Sequence, residues 1–137
     1  MTMRILMAGG TGLVGHLLTN SLLKQSDVEL ESLVRAPSLP GERKIDFELL
    51  AGDPEALRTG HANVAISCLG TTLRSAGSPE RFRRVDHDYI VAFAQIARCA
   101  GADRFILISS VGAGGRGLYL SVKGETEASV GALTLAA

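Results

Sequence analysis

A chain of 137 residues with 14 Lys+Arg against 14 Asp+Glu and 46% hydrophobic residues describes one globular domain, 1–137, with no room for a separate substrate domain. Balanced charge without a long basic run argues against general nucleic-acid binding, the hydrophobic share excludes intrinsic disorder, and no stretch is long enough to cross a bilayer. With two cysteines, Cys68 and Cys99, and no secretory leader ahead of the first glycines, the expectation is reduced thiols in the cytoplasm.

Short apolar runs alternate with longer amphipathic ones, which predicts strand-helix units around a parallel sheet. The first strand spans Arg4 to Ala8, and a helix follows from Leu13 to Lys24 with Val14, Leu17, Leu18, Ser21 and Leu22 as its apolar stripe. Val28 to Val34 reads as the second strand, and the turn-rich Ala36–Gly41 leads to a third near Lys44 to Phe47. Asp53-Pro54-Glu55 opens a short helix that Gly60 stops, and Asn63 to Leu69 is the fourth strand. A long helix runs from Ser78-Pro79-Glu80 to Ala100, with Phe82, Val85, Tyr89, Phe93 and Ile96 at helical spacing and Gly101 as its cap. Arg104 to Ile108 forms a fully apolar fifth strand, and a last helix spans Leu118 to Val130.

Glycine supplies 16 residues, a share well above the usual ~7%. Three of them, Gly9, Gly12 and Gly15, are spaced as G-x-x-G-x-x-G between the first strand and its helix. Such a turn lets a diphosphate approach bare backbone and face the amides of a helix N-terminus, so the segment points to a dinucleotide. Where many dinucleotide folds carry an acid on the ribose 2′-hydroxyl, at the end of the second strand, this chain has Val34-Arg35. A guanidinium pairs with a 2′-phosphate, so NADP(H) is preferred over NAD(H). Tyr119 and Lys123, four apart on one helix face, follow Ser109-Ser110 at the end of the fifth strand. A lysine beside a phenol favours its ionised form, and a serine hydroxyl can hold a carbonyl oxygen, which is the equipment for proton transfer next to a nicotinamide.

Together these residues resemble the short-chain dehydrogenase/reductase superfamily, in an atypical branch similar to the Tat-interacting protein family of NADPH-binding oxidoreductases. Cys68-Leu69-Gly70-Thr71-Thr72, Phe82 to Tyr89, Ser109 to Ala113 and Tyr119 to Glu125 carry the likeness in order and spacing, over Met3 to Val130. The resemblance implies a Rossmann-type, doubly wound α/β fold in three layers, with about five strands ordered 3-2-1-4-5. It also implies that Gly9, Thr11, Gly12, Leu13, Val14 and Gly15 line the diphosphate site, that Arg35 contacts the 2′-phosphate and that Asp46 sits by the adenine. Leu69, Gly70 and Thr71 would pass under the ribose and nicotinamide, with Tyr119 and Lys123 as the catalytic and ribose-binding pair and Ser110, or else Ser109, as the serine. The family continues into a sixth strand and a substrate-covering segment, whereas here Gly131 to Ala137 follow Val130, so the expectation is a fold truncated before strand 6.

The expected activity is hydride transfer with a small carbonyl or alcohol substrate, and the alternative is a regulatory or scaffold protein that holds NADPH without turnover. The open fifth strand offers an edge for a homodimer. His16, His61 and His87 are too scattered to predict a metal site, and Arg81, Arg83 and Arg84 read as solvated charge.

Overall fold

A computed structural model describes residues 2–133. Five parallel strands form one sheet in the order β3-β2-β1-β4-β5, as expected: β1 (Met3–Ala8), β2 (Val28–Val34), β3 (Glu42–Lys44), β4 (Val64–Ser67) and β5 (Arg104–Leu107). Ala8 lies level with Leu33 on one side and Ser67 on the other, so the turns after β1, β2 and β4 leave the sheet at one edge. The order reverses between β1 and β4, which opens a crevice at that edge.

Strand alternation sends side chains to both faces. Leu6, Ala8, Leu33 and Ala65 pack beneath α2 (Phe47–Gly52) and α5 (Ile90–Cys99), through Phe47, Leu50, Phe93, Ile96 and Ala97. Ile5, Met7, Val64 and Ile66 face α1 (Leu13–Leu23), where Leu18 and Leu22 cover them. The fifth strand, expected to be fully apolar, opens on the exposed Arg104, and next to Ile66 its Ile106 is 47% exposed, so β5 is only half covered.

Helix α1 keeps its expected bounds but presents a different face. Val14 and Leu17 are exposed, while Gly15 and Thr19 are buried with Leu18 and Leu22 beside them. The reason is steric: a Cβ on Gly15 would lie 2.0 Å from the Gly9 carbonyl oxygen, so the helix crosses β1 at backbone contact and only small residues fit the crossing. Thr19 satisfies its buried hydroxyl on the Gly15 carbonyl at 2.7 Å.

The third strand is displaced from Lys44–Phe47. It ends at Lys44 because Asp46 caps α2, accepting from the amides of Glu48 and Leu49 at 2.9 and 3.3 Å. The helix placed at Asp53 is a single 3-10 turn, Pro54–Ala56. Thr72 caps a short α3 (Leu73–Ala76), an element absent from the sequence reading.

The long helix starts on Ser78 and Pro79 as expected, yet it is not uniform. It consists of α4 (Pro79–Arg83), a π segment (Arg84–Tyr89) and α5, ending at Gly101 with φ +88°. Phe82, Asp86, Ile90 and Phe93 all lie at or below 1% exposure, which places a carboxylate in the core. Helix α6 (Leu118–Gly131) packs on the π segment and on α5. Residues 134–137, the end of the expected truncation, lie outside the described residues.

Because α1 touches β1 backbone to backbone, Gly15→Ala is expected to destabilise the chain by about 3 kcal/mol or more, read as a lowered midpoint in urea unfolding.

Candidate functional site

At the edge where β1, β2 and β4 end lies a cleft of about 690 Å³, a volume suited to a small-molecule ligand. A smaller hollow of about 310 Å³ sits near the opposite ends of β1 and β2, among Arg4, Glu29 and His61. The glycine turn borders the larger one.

Gly9 adopts φ +83°, and a Cβ there would meet the Cys68 carbonyl carbon at 2.4 Å. Gly9, Thr11 and Gly12 line the cleft. Gly12 caps α1 with no side-chain hydrogen bond, and no acid occupies the first turn, so the positive end of the helix faces the cleft without a competing anion. Leu13 and Val14 are 82% and 50% exposed and do not line it, and Gly15 lies beneath the turn. Of the six residues expected at a diphosphate, three therefore form the wall, Leu13 and Val14 do not, and Gly15 sets the crossing.

Toward β2 and β3 the walls are charged. Arg35, Lys44 and Arg81 line the cleft, and among the described residues none of the three is in an ion pair. The nearby acids are engaged. Asp46 lines the cleft, with its carboxylate capping α2. Glu48 accepts from Arg84 Nε at 2.7 Å and from the Tyr89 hydroxyl at 2.5 Å, which holds its carboxyl below the ordinary value. Tyr89 stacks on Phe47 at 5.6 Å between centroids, and burial followed by the bond to Glu48 pushes its phenol up to about 12. Sequence reading missed Lys44, Glu48 and Tyr89, because only the fold brings them to one wall. It also took the arginine cluster as solvated, whereas Arg84 pairs with Glu48 and Asp88, and Arg83 forms a forked pair with Glu125.

Toward β4 the floor is Leu69, Gly70 and Thr71. Cys68 also lines it, and burial pushes its thiol up. Behind the floor, the fully buried Asp86 accepts from the Thr71 amide at 2.8 Å and lies 2.6 Å from Lys123 Nζ. That second contact is an ion pair by distance, at an angle outside that of a hydrogen bond. Lys123 also lies 5.4 Å from the Tyr119 ring centroid, and Tyr119 packs on Phe82 at 5.5 Å. The expected serine is not joined to them: Ser110 donates to the Val111 carbonyl at 3.4 Å, and Ser109 is exposed. Tyr119 and Lys123 are thus brought together with a buried acid, Asp86, absent from the expected site. Its signal was an Asp among apolar residues at helical spacing, four from Phe82 and four from Ile90.

The fold and the crevice define a Rossmann-type nucleotide-binding domain. The profile of the NAD(P)H-binding family matches residues 9–130, and the chain belongs to that family. It is similar to protein HTATIP2 of Rattus norvegicus, 36% identical over 137 residues, which cover 92% of this chain and 55% of that protein. It is 32% identical to the mitochondrial protein FMP52 of Kluyveromyces lactis, over 96% of this chain and 62% of that one. The chain spans a little over half the length of the curated relatives it matches. Among solved structures, WbmG of Bordetella bronchiseptica in complex with NAD has a TM-score of 0.76 at 17% identity, over 98% of this chain and 51% of that one. Human epimerase family protein SDR39U1 with NADPH has a TM-score of 0.64 at 20% identity, over 93% and 48%. These matches bear out the resemblance to short-chain dehydrogenases and the fold.

The expected cytoplasmic location does not stand. It rested on the lack of a leader, and FMP52 relatives from Kluyveromyces lactis, Emericella nidulans and Debaryomyces hansenii are named mitochondrial. Among the described residues no helix is long and apolar enough to cross a membrane, and no three metal-ligating side chains cluster.

The chain has two tyrosines. Absorbance titration is expected to show one phenol ionising only near pH 12, a step that Tyr89→Phe removes. The pKa is raised in the folded state, so this contribution to stability is full below the usual value of about 10 and is lost as pH rises through 12.

Proposed function

We propose that the chain holds NADP(H) in the large cleft, diphosphate on the first turn of α1 and adenosine toward β2 and β3. The observation that carries this reading is the three cations, Arg35, Lys44 and Arg81, without ion-pair partners among the described residues, on the wall beside an uncapped, glycine-lined helix start. A 2′-phosphate supplies the anion such a wall lacks, whereas a bare ribose hydroxyl leaves it unmatched. Gly9 and Gly12 admit the diphosphate to backbone distance, Asp46 and Phe47 border the adenine, and Leu69, Gly70 and Thr71 lie under the ribose and nicotinamide.

For chemistry, the reading is reduction of a small carbonyl or oxidation of an alcohol, the nicotinamide supplying or accepting the hydride. Tyr119 would give a proton to the carbonyl oxygen or take one from the alcohol. Lys123 would stabilise the phenolate and bind the ribose, and Ser110 would hold the carbonyl oxygen. A second reading, binding without turnover, is favoured by two observations: the Lys123 ammonium is paired with Asp86, and the Ser110 hydroxyl is spent on the Val111 carbonyl. For a protein partner, the reading is a second copy of the chain at the uncovered outer edge of β5; light scattering that finds only monomer at every concentration contradicts it.

Fluorescence titration of the purified chain is expected to give tighter binding for NADPH than for NADH, and Arg35→Ala is expected to weaken NADPH by about 10- to 100-fold with little effect on NADH. Equal loss for both cofactors contradicts the role given to Arg35. Against a panel of aldehydes, ketones and quinones, Tyr119→Phe separates the two readings. An enzyme loses turnover with NADPH affinity nearly intact, and a binding protein shows no turnover in either form.

A further inference from the structure

Ser129 of α6 and His87 and Asp88 of the π segment line neither of the two cavities. The Ser129 hydroxyl lies 3.0 Å from His87 Nε2, and His87 Nδ1 lies 2.8 Å from Asp88 Oδ1. The roles follow from the acid. Burial works against a charge on Asp88, but hydrogen bonds from His87 and Arg84 outweigh it and hold the carboxyl below its ordinary value. An ionised carboxylate only accepts, so Nδ1 carries the proton, and in the neutral ring Nε2 is then bare and accepts the Ser129 hydroxyl.

Each member is held from behind. Arg84 donates to the second oxygen of Asp88 at 3.1 Å and to Glu48 at 2.7 Å, which fixes the carboxylate. Residues one apart diverge in a regular α-helix, whereas in the π segment His87 and Asp88 meet. Helix α6 is pinned alongside by two contacts about a turn before Ser129. Thr126 donates to the Asp86 carbonyl at 2.6 Å, and Glu125 takes the forked pair from Arg83. The group is reachable from solvent, since Ser129 is half-buried and the His87 side chain keeps 15% of its surface exposed.

We infer that Ser129 is a nucleophile activated by His87, which takes an acyl group from a small activated ester. In that step Ser129 Oγ attacks the acyl carbon while His87 Nε2 accepts the hydroxyl proton, and Asp88 orients the ring and balances the imidazolium. The carbonyl re-forms as the bond to the leaving alcohol breaks, and His87 Nε2 gives its proton to that alcohol. The products are acyl-Ser129 and the free alcohol, with the histidine neutral again. The Ser129 amide is committed to the α6 ladder and does not serve as an oxyanion donor. The chemistry assigned is therefore acylation of one serine by an ester with a good leaving group, not turnover of unactivated esters.

The test treats the purified chain at neutral pH with 4-nitrophenyl acetate, follows phenolate release by absorbance and maps acetylated residues by peptide mass spectrometry. Ser121, exposed on the same helix, is the internal standard, because among the described residues Ser129 is the one serine hydrogen-bonded to a histidine. Acetyl is expected on Ser129 about 100-fold faster than on Ser121. His87→Gln keeps a polar partner for Ser129 but removes the base, and is expected to bring the rate down to that of Ser121. Asp88→Asn offers Nδ1 a donor, favours the other tautomer and is expected to slow acylation at least about tenfold. Ser129 no faster than Ser121 in the unaltered chain, or acetyl confined to Cys68, Cys99 and the lysines, overturns the inference, as does an unchanged Ser129 rate in His87→Gln. The first comparison needs no variant, so it decides even where His87→Gln does not fold.

Discussion

At the crossing of α1 over β1 the chain packs backbone on backbone: a side chain at Gly15 would begin 2.0 Å from the Gly9 carbonyl oxygen, and one at Gly9 would begin 2.4 Å from the Cys68 carbonyl carbon. Two strands and a helix are held together there by the absence of side chains, and the rest of the carboxyl edge follows from it. Helix α1 starts at Gly12 with its first amides turned to the crevice, and β4 passes close enough for its exit loop to become the floor. Any larger residue at either glycine would lift the helix from the sheet and move the amides away from the place where an anion would rest.

Charge is distributed over that edge with a consistent logic. On the β2 and β3 side the acids are consumed internally, Asp46 by the start of α2 and Glu48 by Arg84 and Tyr89, which leaves the cations of the wall without ion-pair partners among the described residues. On the β4 side the cation itself is matched, Lys123 by a carboxylate with no solvent exposure. Removing one member of such a pair strands the other in the core, at a cost of about 3–5 kcal/mol. One end of the cleft is therefore ready for an anion from outside, and the other is held rigid by an anion from within.

Local chemistry was legible in the sequence wherever one segment decided the outcome. The strand, glycine turn and helix start of residues 3–13, the cap at Gly101 and the start at Ser78-Pro79 were each readable because short-range geometry fixes them. The strand order was readable through resemblance. Misreadings came where two local rules competed or where packing chose between faces. Ile45-Asp46-Phe47 looks like strand, yet the Asp46 cap turns it into helix. The apolar stripe of α1 pointed to its leucines, whereas the crossing demanded Gly15 and Thr19. The site was legible as a list of residues in order. It was not legible as a set of contacts, since Lys44, Glu48, Arg81 and Tyr89 meet only through the fold, and the π segment that carries Asp86 has no local signature.

The account turns on a dinucleotide lying across the carboxyl edge with its diphosphate on the first turn of α1. The most direct measurement is NMR of the 15N-labelled chain titrated with NADPH. The account predicts the largest amide shifts at Gly9, Gly12, Leu13 and Val14, with a second group at Arg35 and at Gly70-Thr71. Shifts centred on the hollow near Arg4 and His61, or none at saturating NADPH, would contradict it.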